Sequence, residues 1–365
     1  MPSRRITTFT LIFVFAFGPT LQACLWDYDT LAMERSAFPG THELIVGHFV
    51  RHSDAYYKWR IEDRSQLPPE ERSIADYDDI AVAYDKIGQH DKAIDVIKEK
   101  IARWPEQNRY ESEANLGTFL IHSGDLEAGL EHIKKAIELN PDAHFGREIY
   151  QQRLVEFILF RQSDLGADPR LKNRASSFYR FLTHDEDGEY VSLSTKQVDE
   201  AIKGISGMIR FGNHDSPILL AALGSLHSHR DDSSMIAARA YLRASYETDN
   251  AETSNDFRNL AIANLEMQVS HDIGRVESEL KDEIAQAKQL AAEIESDEKA
   301  WAEAGLNLDE KFKAKYYDAP SLKISTPWIT LNLFEKALVG CLLATTILWF
   351  VGGCVVKKFA IGRQQ

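Results

Sequence analysis

The chain has 365 residues, 42 of them Lys or Arg and 56 Asp or Glu, for a net charge of −14. An acidic balance without a local basic stripe excludes a duplex nucleic acid as partner, and it suits a face that meets basic or neutral proteins. The three cysteines, Cys24, Cys341 and Cys354, leave the long stretch between the first two without any, so helix packing and not disulfide bonding must stabilise it.

Arg4 and Arg5 precede an apolar run from Ile6 to Phe17, and Gly18 to Cys24 follows. A basic, an apolar and a cleavage zone in that order predict an export signal over residues 1–23. Leu21-Gln22-Ala23-Cys24 resembles the bacterial lipobox, which implies cleavage before Cys24 and acylation of its thiol.

Residues 24–73 read as an N-terminal helical segment. An amphipathic helix from Glu43 to Arg60 is expected to dock Phe49, Tyr56, Tyr57 and Trp59 on the helices C-terminal to it. His42, His48 and His52 lie in the same stretch. On a helix His48 and His52 would share a face, the geometry that zinc sites exploit. Phe49 stands where a His-Glu-x-x-His motif needs its Glu, and no third ligand presents itself, so no metal is assigned.

Two segments superpose at a spacing of 36 residues, Tyr77 to Pro105 and Glu113 to Pro141. The first carries Ile80, Ala81, Tyr84, Gly88, Ala93, Ile97 and Pro105; the second carries Leu116, Gly117, Leu120, Gly124, Gly129, Ile133, Ala136 and Pro141. Small residues at 81 or 117 and at 93 or 129 let paired helices cross closely, glycine serves the turn, and proline stops the second helix. These offsets resemble the tetratricopeptide repeat, with two extra residues placed near Asn108 and Arg109. The resemblance implies an all-α helical solenoid with two units over residues 74–143. It also implies a concave groove, lined by the first helix of each unit, that accepts a peptide or helix of another protein. Carried over by position, the groove residues are Asp78, Val82, Asp85 and Lys86 from the first unit and Glu111, Asn115, Thr118 and His122 from the second. Some family members clamp a C-terminal carboxylate with Lys and Asn. Asn115 sits at one such position, but Asp78 and Val82 occupy the places of the expected Lys and Asn, and an acidic groove favours a basic or mixed segment instead.

Residues 144–270 read as degenerate helix pairs, with amphipathic helices at Ile149–Phe160 and Val198–Phe211 and a repeat-like echo in Leu223, Gly224, Ala237, Tyr241 and Ala244. Loops are expected at Ser163–Pro169 and His184–Tyr190; the acidic run in the second lacks the ligand alternation and closing Glu of a calcium loop. His227 and His229 diverge by roughly 200° on a helix and would not converge on one ion.

Over 271–306 a long helix is expected, with Leu280, Ile284, Ala287, Ala291, Ile294 and Trp301 in a stripe that Glu298 breaks. It serves either as a cap over the last repeat or as a homodimer seam through residues 275–301. A linker over 307–336 then leads to an uncharged run at 337–356, long enough to span a bilayer. Lys357 and Lys358 place the tail, 357–365, in the cytoplasm. The composite expectation is a non-catalytic scaffold or adaptor without cofactor, single-pass in a bacterial cell membrane, its body on the exported side. The competing readings are an envelope metal-dependent hydrolase using the His42–His52 region and a structural dimeric spacer.

Overall fold

In the computed structural model the described residues are 40–141, 146–230, 233–266 and 272–317. The expected export signal, Cys24, the 337–356 span and the tail lie outside them.

The segment before the repeats breaks where glycine permits it. Helix α1 (Thr41–Val46) is bracketed by Gly40 and Gly47, both left-handed at φ 83° and 77°. Helix α2 (Asp54–Ser65) starts afresh, with the Ser53 side chain accepting from the Ala55 amide. The continuous helix expected from Glu43 to Arg60 is therefore two, and His48 and His52 lie on the non-helical link between them.

The repeat region forms two helix pairs: α3 (Ile74–Lys86) with α4 (His90–Arg103), then α5 (Arg109–Ser123) with α6 (Leu126–Leu139). Ser73 and Asp76 make a reciprocal capping box at the start of α3. Gly124 ends α5 at φ 96°, a conformation that favours glycine. The connection with the extra residues uses Asn108 at φ 47° to enter α5. A Cβ on Gly129 would stand 2.8 Å from the Gly117 carbonyl oxygen, so the crossing of α5 and α6 is set by backbone approach. Ala81, Ala93, Ile94, Ile97, Leu116 and Phe119 form the shared core of the pairs.

Helix α7 (Arg147–Gln162) packs on α6. Two short helices, α8 (Lys172–Ser176) and α9 (Phe178–Leu182), lead to α10 (Thr195–Phe211), α11 (Pro217–His227), α12 (Ser234–Tyr246) and α13 (Ala251–Glu266). From α2 to α7, and again from α10 to α13, each helix packs on the next, with α10 also against α7. Gly224 of α11 admits the Tyr241 ring of α12, whose carbons would lie 3.1 Å from an added Cβ. Every residue of α12 from Met235 to Ser245 is buried, so the helix has no solvent face.

Helix α14 (Ile273–Glu303) decides how the array closes. Val276, Leu280, Ile284, Ala287, Leu290, Ile294 and Glu298 are buried along one face. That face lies on α1, α2 and α12, so the helix joins the first described helices to later ones. The stripe is spent inside a single chain, and the expected dimer seam through 275–301 is unsupported for that reason. Helix α15 (Leu308–Phe312) follows, with Leu308 and Phe312 buried, so the stretch expected as a linker from residue 307 begins as packed helix.

The expectation of a solenoid plus a transmembrane helix is corrected. Among the described residues no helix is long and apolar enough to cross a membrane. The longest, α14, has 31 residues and charges recurring along its length, which a bilayer interior would penalise. Single-pass anchorage in a bacterial cell membrane is accordingly withdrawn. Among the described residues the fold is helical, with the pairs α3–α4 and α5–α6 preceding further packed helices.

Candidate functional site

Two cavities open along the first helices of the repeat pairs. The smaller, about 270 Å³, is lined by Asp78 of α3, by Glu111, Ala114, Asn115 and Thr118 of α5, and by Arg147 and Glu148 of α7. Glu111, Asn115 and Thr118 recur at helical spacing and so share one face of α5.

Its floor is a buried ion pair. Lys100, fully buried on α4, donates to both Asp78 oxygens at 2.7 Å, and Asn115 Nδ2 donates to Asp78 Oδ1 at 3.2 Å. Burial raises the Asp78 pKa and outweighs these opposing contacts. Thr118 Oγ1 donates to the Ala114 carbonyl at 2.8 Å and accepts from Gln151 Nε2 at 3.1 Å. Arg147 pairs with buried Glu148 at 3.2 Å, and Glu111 stands exposed. The polar side chains of the groove are thus held in place before any ligand arrives.

The larger cavity, about 900 Å³, lies where the α3–α4 turn meets the start of α2, the α10–α11 loop and α14. Asp85, Lys86 and His122 line it, with His90, Arg51 and His214 among the others. Asp85 Oδ1 lies 2.8 Å from His90 Nδ1, and both Asp85 oxygens lie 3.0 Å from His122 Nδ1. Burial pushes the Asp85 carboxyl up, but the hydrogen bonds from His122 and His90 prevail and hold it below the usual carboxylate value. Lys86 Nζ donates to the carbonyls of Phe211 at 2.5 Å and Gly212 at 2.7 Å, so the first repeat unit is tied across to the α10–α11 loop. Burial lowers the His214 pKa to about 4, reinforced by the Arg51 charge.

The eight residues expected to line one groove therefore divide. Asp78, Glu111, Asn115 and Thr118 share the smaller cavity; Asp85, Lys86 and His122 share the larger. Val82 joins neither set and packs half-buried against the core of Ala81, Ile97 and their neighbours. His90 was absent from the sequence expectation. It begins α4 one turn past Asp85, and only the stacking of α5 beside α3 brings His122 to the same carboxylate.

The histidines of the 42–52 stretch do not converge. His42, fully buried, lies 3.0 Å from Glu283, whereas His52 lies 2.8 Å from Glu298 and stacks on Tyr56 at 3.4 Å between ring centroids. A shared metal in this stretch has no geometric support. His227 and His229 also go separate ways: His227 is buried, and His229 stacks on Tyr179 with centroids 3.8 Å apart.

With this geometry in view, the family described as the tetratricopeptide repeat matches residues 112–143, which take in α5 from Ser112 onward, its turn and α6. The chain carries a tetratricopeptide repeat there, within an all-helical fold. No curated protein matches the chain.

Proposed function

We propose that this protein is a non-catalytic interaction scaffold that grips a segment of another protein in the groove between α3, α5 and α7. Tetratricopeptide repeats generally bind other proteins, and the repeat at 112–143 contributes α5, the central wall of the groove. The observation that carries the reading is the shared cavity of Asp78, Glu111, Asn115 and Thr118 with Arg147 and Glu148, in which the three acids outnumber Arg147 and the Lys100 that pairs with Asp78 beneath. Asn115 offers an amide of the kind that holds an extended backbone, and the acidic excess favours a basic or mixed segment.

A photoreactive amino acid at Thr118 tests this directly. It is expected to crosslink a defined protein in native extracts, while the same probe at exposed Glu138 on α6 does not capture that protein. Equal labelling from both positions, or none from Thr118, overturns the reading.

A further inference from the structure

We propose that Asp85, His90 and His122 form a binding site for a divalent transition-metal ion of the zinc class, open toward the larger cavity. The three side chains each offer a ligand atom, and these atoms lie within 4.8 Å of one another. Among the described residues no other group of His, Cys, Asp and Glu side chains meets that arrangement.

The donor set is chemically apt. Two imidazoles and a carboxylate suit zinc, iron, copper or nickel, and three protein ligands leave further coordination positions for water or an incoming group. Bonds of about 2.0–2.2 Å around a tetrahedral ion separate neighbouring ligand atoms by roughly 3.4 Å. The carboxylate-to-imidazole distances are 2.8 and 3.0 Å, so those two contacts open by about half an ångström to admit the ion. The site is anchored on its inner side and accessible on its outer one: Asp85 is buried, while the His90 and His122 side chains each retain 30% exposure.

Placement on three elements gives the site its rigidity. Asp85 closes the last turn of α3, His90 opens α4, and His122 lies in the last turn of α5. The neighbouring cation does not compete for the carboxylate, because the Lys86 ammonium is directed to the Phe211 and Gly212 carbonyls. All three ligands line the cavity wall, so the open positions face a space of about 900 Å³. A donor from a bound partner can complete the shell there.

The test uses the full chain, freed of metal by chelation and titrated with Zn²⁺ by calorimetry, with Co²⁺ absorption as a second readout. The wild type is expected to bind one tight equivalent and to give visible Co²⁺ bands from mixed nitrogen and oxygen ligation. His90→Ala and His122→Ala should each lose more than the roughly 10–100-fold that changes in an outer shell cost. His132→Ala, which removes a histidine paired with Glu113 elsewhere, should bind as the wild type does. Circular dichroism establishes that each variant keeps its helix content. Absence of a tight equivalent in the wild type, or equal affinity in all three folded variants, overturns the proposal.

Discussion

Glu298, fully buried on α14, receives His52 from the link before α2 at 2.8 Å. The same carboxylate accepts from the Ser53 amide at 2.9 Å and from the Ser53 hydroxyl at 2.5 Å. One acidic side chain therefore fixes the start of α2 against a helix some 245 residues later. Glu298→Ala leaves three donors without their acceptor in a closed environment. We expect a loss of about 2–4 kcal/mol in unfolding free energy, read from urea denaturation, with Glu298→Gln retaining part of it.

The helix crossing in the repeat makes a second prediction. An added Cβ at Gly129 meets the Gly117 carbonyl at 2.8 Å and the Ile121 amide nitrogen at 3.0 Å, groups that cannot swing aside. At Gly117 an added Cβ meets the buried Ile133 side chain at 2.9 Å and the Gly129 carbonyl oxygen at 3.0 Å, a somewhat looser obstruction than the 2.6 and 2.8 Å approaches at Gly129. Gly129→Ala should cost about 2–3 kcal/mol and Gly117→Ala about 1 kcal/mol, despite the higher helix propensity of alanine. Thermal melts of the two variants give the order.

Lys100 and Asp78 form the floor of the groove, and their removal should be non-additive. Lys100→Met strands the Asp78 carboxylate, while Asp78→Asn strands the buried ammonium. Each single change is expected to destabilise by about 2–4 kcal/mol, and the double variant by less than their sum. Additive losses in the double-mutant cycle would show that the pair does not act as a unit.

Acid sensitivity should trace to Glu283. Burial raises its pKa, but hydrogen bonding to His42 and the Arg239 charge lower it further, to about 2 from an ordinary 4.5. A folded-state pKa below the unfolded one means that the ionised group stabilises the fold fully above the unfolded value. That contribution fades as pH falls from about 4.5 toward 2 and amounts to on the order of 3 kcal/mol. Glu283→Gln should lower stability at neutral pH and flatten the acid limb of a melting-temperature profile.

The repeat at 112–143 was legible because its signal is local: Gly117, Gly124 and Gly129 mark a crossing and a turn that only small residues permit. The stripe on α14 was equally legible as a buried face. Its partner was not, because periodicity tells that a face is covered and not by what, and the cover comes from α1, α2 and α12. Glu298 looked like a break in that stripe, yet it is the stripe's polar anchor. The helix expected across residues 43–60 failed at Gly47, whose left-handed φ of 77° interrupts a pattern that side-chain polarity alone would continue. Repeat register brings Asp78, Glu111, Asn115 and Thr118 to one cavity, whereas Val82 packs against the core of Ala81 and Ile97, a placement that depends on local helix rotation. His90 escaped notice because its partners become neighbours only when α5 stacks on α3.

The measurement that bears most directly on the central claim is crosslinked affinity capture with the full-length wild type beside Glu111→Lys and Asn115→Ala. Both changes sit in the groove wall, and Glu111 is exposed, so helix content and melting temperature should stay close to wild type. Wild type is expected to recover a specific protein, Glu111→Lys to lose it, and Asn115→Ala to retain it only weakly. Equal recovery by all three folded proteins would contradict the groove as the binding element.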